Sequence, residues 1–239
     1  MKYIKNTPVI ILLFCFEAVF AQNGKLYPPY TKWYQDPLGL KPVELSSAAG
    51  FFWGSAAVAA SLIFTKRNPS FHKKIFFYQE AGAYAGYKSP YTFALQNNTG
   101  LLYKLRERMS VGMEMNTFHY GDNTNNSFGF GMRPFARWYF IKGKRVSMFF
   151  EYGAGLSYSL NRFPLKGTGY AADTLRTGTK FNFTTKYSTG TEIRLSHNFY
   201  LQAGARHIHL SNANIKGIDR NPSYDGNGLF AGLLFALNP

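Results

Sequence analysis

Residues 146–161, VSMFFEYGAGLSYSLN, alternate in polarity from end to end. Val146, Met148, Phe150, Tyr152, Ala154, Leu156, Tyr158 and Leu160 fall on one face. Ser147, Phe149, Glu151, Gly153, Gly155, Ser157, Ser159 and Asn161 fall on the other. A period of two is that of a β-strand. A run of this length with one apolar face crosses a bilayer as a tilted strand.

The same test finds further strands on either side. In 128–141, Phe128, Phe130, Met132, Ala136, Trp138 and Phe140 oppose Gly129, Gly131, Arg133, Arg137 and Tyr139. In 180–195, Phe181, Phe183, Tyr187, Ile193 and Leu195 oppose Lys180, Asn182, Lys186, Glu192 and Arg194. In 109–120, Val111, Met113 and Met115 oppose Gly112, Glu114 and Asn116. Residues 75–87, 100–106, 199–210 and 228–237 complete a set of eight. Short turns are expected near Glu107-Arg108, Gly143-Lys144 and Ser196-His197-Asn198. Longer loops are expected at 88–98, 121–126, 161–179 and 211–227. Short turns at one end and long loops at the other mark an outer-membrane barrel. An even strand count closes the sheet without an edge, which hydrocarbon demands. The expected fold is therefore all-β: an eight-stranded antiparallel transmembrane β-barrel, too narrow for a wide channel.

The inward faces carry both signs of charge: Glu80, Glu114, Glu151 and Glu192 against Arg133, Arg137, Lys186, Arg194 and Arg206. In a dry lumen these must pair or find water, and they read as a structural network. Pro134 removes a ladder hydrogen bond and marks a bulge or local break.

Composition agrees. Aromatic residues make up 18% of the chain, with 23 Phe and 17 Tyr, and charged residues only 16%. Mean hydropathy is near neutral, which excludes a helical multi-span protein. Residues 1–21 read as a secretory signal: Lys2 and Lys5, an apolar run from Pro8 to Phe16, and cleavage after Ala21. The only cysteine, Cys15, leaves with that signal, so the mature chain has no disulfide or thiol chemistry. Residues 22–74 form an extension before the barrel domain at 75–239. Within the extension, the apolar segment 48–64 is at the lower limit for a spanning helix, at about 17 residues. It reads as a helix packed against or plugging the barrel, or lying at the interface. The net charge of +15 is spread along the chain. For an exported protein this points away from nucleic acid and towards an anionic lipid surface.

One polar stretch breaks the pattern, residues 206–227, RHIHLSNANIKGIDRNPSYDGN. In the seventh strand the odd positions of the lower half, Leu201, Ala203 and Ala205, face lipid. If that phase continues, His209 and Ser211 point outward as well. Residues two apart on a strand lie about 6–7 Å apart on one face, close enough for an imidazole and a hydroxyl to meet. A serine hydroxyl becomes a nucleophile when a histidine takes its proton, and the imidazole needs a polar partner to hold its tautomer. Ester cleavage also needs donors for the oxyanion. Ser211, His209 and Asp225, with Asn212 or Asn221, supply each type, which points to an esterase.

The segment His209-Leu210-Ser211-Asn212-Ala213, followed by Asn221 and Asp225, resembles the signature of the outer-membrane lipid A 3-O-deacylases. That resemblance implies an eight-stranded barrel with its site on the outer wall, near the outer leaflet. It also implies hydrolysis of the ester-linked acyl chain at the 3-position of lipid A. Carried over, His209 is the base, Ser211 the nucleophile and Asn221 the oxyanion-hole asparagine. Asp225 stands where the family has its acid, usually glutamate. Three features depart from the family: the shorter aspartate, a slightly longer loop between Asn212 and Asn221, and Asn214 in place of a small glycine. Asn227 is a second candidate for orienting His209, and Asp219 another for the acid. The implied partners are lipid A and outer-membrane lipid, with no nucleic acid and a homodimer left open.

Other constellations carry less. His207 shares the face of His209 and could serve the site or simply pack there. His119 with Asp122 lacks further ligands at metal spacing, so no metal or cofactor is expected. The competing reading is a non-catalytic outer-membrane barrel with a structural or binding role.

Overall fold

A computed structural model of the chain describes residues 74–86, 92–121, 126–163, 178–212, 215–216 and 223–237. The expected signal peptide and the apolar segment 48–64 lie outside the described residues. Eight strands run in chain order: β1 (Lys74–Gly86), β2 (Phe93–Arg106), β3 (Met109–Gly121), β4 (Asn126–Lys142), β5 (Val146–Phe163), β6 (Thr179–Arg194), β7 (Phe199–Ser211) and β8 (Tyr224–Ala236). Each pairs antiparallel with its neighbours, and β1 pairs with β8, so the sheet closes into a barrel. The expected fold class holds. Closure leaves no unpaired strand edge for the lipid to meet.

The alternation read from the sequence sorts the two faces. Large apolar side chains cover the outside, Met115 and Leu229 among the most exposed at 70%. Lipid is the solvent that accepts such a belt. The inside is filled in layers. At the long-loop end, Tyr84, Phe118, Tyr120, Phe163, Leu210 and Tyr224 form one apolar cluster. At the turn end, Phe76, Tyr78, Leu102, Phe135 and Leu234 form another.

Between them lies a buried ionic layer. Glu114 accepts from Arg133 Nε at 2.6 Å and Lys186 Nζ at 2.7 Å. Glu151 meets Lys186 at 2.6 Å, Arg137 at 2.7 Å and Arg206 at 3.1 Å. Glu80 pairs with Arg206 and accepts from Asn98 and Gln202, each at 2.8 Å. Aromatic faces flank the cations: Arg137 lies 3.9 Å from the Phe149 ring centre and Arg206 4.1 Å from that of Phe230. Arg206 gains this contact because the ring packs against Gly204, where a Cβ would come within 3.0 Å of it.

Pro134 marks the expected local break: it interrupts the β4–β5 partners without changing their register, and the register shift lies between Tyr139 and Ile141. Two expectations need correction. Arg194 is not in the network; it bonds to Ser196 O and His197 at the barrel mouth. Lys104 takes its place on Glu192, at 2.9 Å. The second is that β2 begins at Phe93, inside the expected loop. Its polar run hid the strand, but Gln96 and Asn98 are lumen-facing residues on a barrel where polar means inside.

Glu151 is the hub of the layer, shared by three cations. Glu151→Ala should lower unfolding free energy by ~3–5 kcal/mol, because three buried charges lose their common partner. Urea unfolding of the barrel in lipid vesicles, followed by tryptophan fluorescence, measures this. A loss below ~1 kcal/mol would show that the network does not support the fold.

Candidate active site

Strand β7 keeps its phase to its last residue. Arg206 joins the ionic layer, and Ile208 and Leu210 join the upper apolar cluster, so even positions face the lumen. His207, His209 and Ser211 therefore face outward. The same logic applies to β8. Tyr224 and Phe230 are buried among lumen residues, while Leu229 and Phe235 are exposed to the outside. Asp225 and Asn227 share the outward phase.

The sequence reading put Asp225 and Asn227 in a loop. Both lie on β8, which starts at Tyr224. The run Tyr-Asp-Gly-Asn reads as a turn, and polar side chains on a lipid-facing phase break the expected alternation. Entry into the strand passes through Ser223 at φ 52°, a left-handed conformation that favours glycine. Antiparallel register then sets His209 opposite Asp225, and His207 opposite Asn227.

The consequence is a direct contact. His209 Nδ1 donates to Asp225 Oδ1 at 2.6 Å. A carboxylate only accepts, so this bond holds the proton on Nδ1 and leaves Nε2 as a base. Ser211 is two residues along on the same face. The shorter aspartate is long enough here because it stands directly across the ladder from the histidine. His207 donates from Nδ1 to Asn227 Oδ1 at 2.9 Å, and its Nε2 lies 3.6 Å from Asp225 Oδ1. Asn227 therefore orients His207, not His209. Asn212 donates from its side-chain amide to Thr179 Oγ1 at 3.3 Å. Asn221 and Asp219 lie outside the described residues.

These outward polar groups are nevertheless shielded. His209, Ser211 and Asp225 are 6%, 3% and 4% exposed. Thr185 on β6, the Cα partner of His209, is equally buried, and its hydroxyl has no hydrogen-bond partner among the described residues. The sequence reading missed Thr185, because a lone threonine on the outer face of a strand carries no pattern of its own. Tyr152 and Tyr187 extend the patch, with ring centres 5.1 Å apart, and Tyr187 lies 6.2 Å from the His207 ring. Beyond this patch, His119 packs between aromatic rings, stacked on Phe128 at 4.4 Å and edge-on to Phe93 at 5.4 Å. Asp122 lies outside the described residues.

Among solved structures, the chain is similar to the outer membrane enzyme PagL, with 18% identity and a TM-score of 0.45 over 65% of this chain and 97% of that one. It is similar to Neisserial surface protein A at 13% identity and a TM-score of 0.46, covering 67% and 96%. The Ail attachment invasion locus protein of Yersinia pestis matches at 12% and 0.41, covering 69% and 97%. No curated protein sequence matches the chain. The family model described as lipid A 3-O-deacylase (PagL) matches residues 104–233. That match spans more than half of the chain, from the end of β2 into β8, and takes in the whole outward patch. The chain belongs to the PagL lipid A 3-O-deacylase family.

Proposed function

We propose that the chain hydrolyses the ester-linked acyl chain at the 3-position of lipid A by a Ser211–His209–Asp225 mechanism on the outer barrel wall. The observation that carries this reading is the 2.6 Å bond from His209 Nδ1 to Asp225, with Ser211 next on the same face. Ser211 Oγ attacks the ester carbonyl carbon while His209 Nε2 takes its proton. Asp225 holds the imidazole in the required tautomer and stabilises the imidazolium. The tetrahedral oxyanion needs donors. Asn221 is the residue the family resemblance assigns, and the engagement of Asn212 with Thr179 favours that choice. Collapse of the intermediate breaks the bond to the lipid 3-oxygen, which leaves with the proton from His209. Water, activated by the same imidazole, then attacks the acyl-Ser211 ester. The fatty acid departs and Ser211 is regenerated.

Placement on the outer wall suits the substrate. A lipid A molecule packed against the barrel presents its acyl esters to the wall, not to the lumen. The shielded patch around Thr185 and His209 keeps water away from the developing charge, where fixed hydrogen bonds count for most.

Ser211→Ala should fold normally and release no fatty acid from lipid A in detergent micelles, as read by mass spectrometry. Undiminished deacylation would remove Ser211 from the mechanism. No acyl release from the wild-type barrel would favour a non-catalytic role.

Asp225→Asn should leave the barrel intact and lower kcat by roughly 10³–10⁴-fold, because an amide cannot hold the same tautomer. ¹⁵N spectra of His209 should show loss of the Nδ1-protonated form in that variant. Asp225→Glu overreaches a partner directly across the ladder, so its rate should fall between wild type and Asp225→Asn.

A further inference from the structure

At the opposite end of the barrel, the lumen opens into a cavity of about 210 Å³ between the β4–β5 turn, the end of β6 and the starts of β1 and β7. Six cations line it: Lys74, Lys104, Lys142, Lys144, Arg145 and Arg194. Among the described residues, Glu192 is the only acid in its wall. That carboxylate is already engaged, by Lys104 at 2.9 Å, by the Tyr139 hydroxyl at 2.7 Å and by Arg137 at 3.5 Å. Among the described residues, Lys74, Lys142, Lys144, Arg145 and Arg194 form no ion pair with a carboxylate.

The excess is held in place by the fold. Lys142 Nζ lies 4.5 Å from the Tyr139 ring centre and Lys104 Nζ 5.4 Å from the same ring, so two ammonium groups share one face of the cavity. Lys104 also sits over Phe76 at 4.5 Å and Tyr200 at 5.2 Å. Apolar walls around a concave cluster of one sign focus the potential inside it. Ammonium and guanidinium groups are donors without acceptors. Their complement is a compact anion with several acceptor oxygens and more than one charge.

We propose that this vestibule binds a phosphoryl group presented from the periplasmic side, where the short turns of an outer-membrane barrel lie. A carboxylate offers two oxygens and one charge. A phosphoryl group offers three oxygens and up to two charges, and it matches both the arginine fork and the lysine cluster. The site is independent of the outward patch on β7 and β8 and stands whether or not that patch is catalytic. The phosphoryl group comes either from free phosphate or from the headgroup of a lipid in the inner leaflet.

The test uses the full chain refolded in an uncharged detergent, with folding checked by heat-modifiable electrophoresis. Calorimetric titration with inorganic phosphate is run beside titration with monomeric dihexanoyl phosphatidylglycerol. One variant carries Lys142→Gln, Lys144→Gln and Arg145→Gln. A control removes the same charge at the long-loop end through Arg162→Gln, Lys180→Gln and Lys216→Gln. We expect saturable one-to-one binding of at least one probe, weakened at least tenfold in the turn variant and unchanged in the control. Preference for inorganic phosphate assigns a free anion, and preference for the short-chain lipid assigns a headgroup. Absence of saturable binding by both probes, or equal weakening in both variants, overturns the proposal.

Discussion

Hydrocarbon offers no partner to a backbone amide, and this barrel is organised around that constraint. The pairing of β1 with β8, from Phe76 with Ala236 to Gly86 with Gly226, removes the last open edges of the sheet. Once eight strands close, the interior is too narrow to stay open, and side chains fill it. Apolar residues are needed outside, so polar and charged ones collect inside. Their mutual pairing around Glu151, Glu114 and Glu80 is what makes the dry interior tolerable. Aromatic clusters above and below close the charged layer from both ends.

That division of labour explains why the outward patch stands out. Along most of the wall, the outer phase carries Leu, Phe and Met. On β6, β7 and β8 it carries Thr185, His209, Ser211 and Asp225 instead, all buried. Polar residues in a lipid belt are costly, and they persist where their neighbours satisfy them. The 2.6 Å contact between His209 and Asp225 does part of this, and His207 with Asn227 forms a second pair two residues along the same ladder. The long loops and the short turns differ in chemistry too. The patch lies near the long-loop end, and the cationic vestibule lies at the turn end, separated from it by the filled lumen.

Most of the barrel was legible because period-two alternation survives local irregularity. Residues 146–161 gave strand, facing direction and span together, and placed Glu151 among the inward charges before any distance was known. The failures have physical causes. Gln96 and Asn98 looked like loop because polar runs usually are, although here they line a polar lumen. Asp225 and Asn227 looked like loop because they are polar where lipid should be. Arg194 looked like a lumen charge by phase, but it lies at the strand end, where its side chain bonds to the turn instead.

The sequence by itself determined the strand number and the inward and outward faces. It did so because alternation and short-range spacing are local properties of the chain. Only the tertiary structure decided which carboxylate meets which cation, that Asp225 rather than Asn227 holds His209, and that Thr185 stands beside them. Those facts depend on the register between paired strands and on which inward side chains meet across the lumen. A one-residue slip would turn every side chain to the other face.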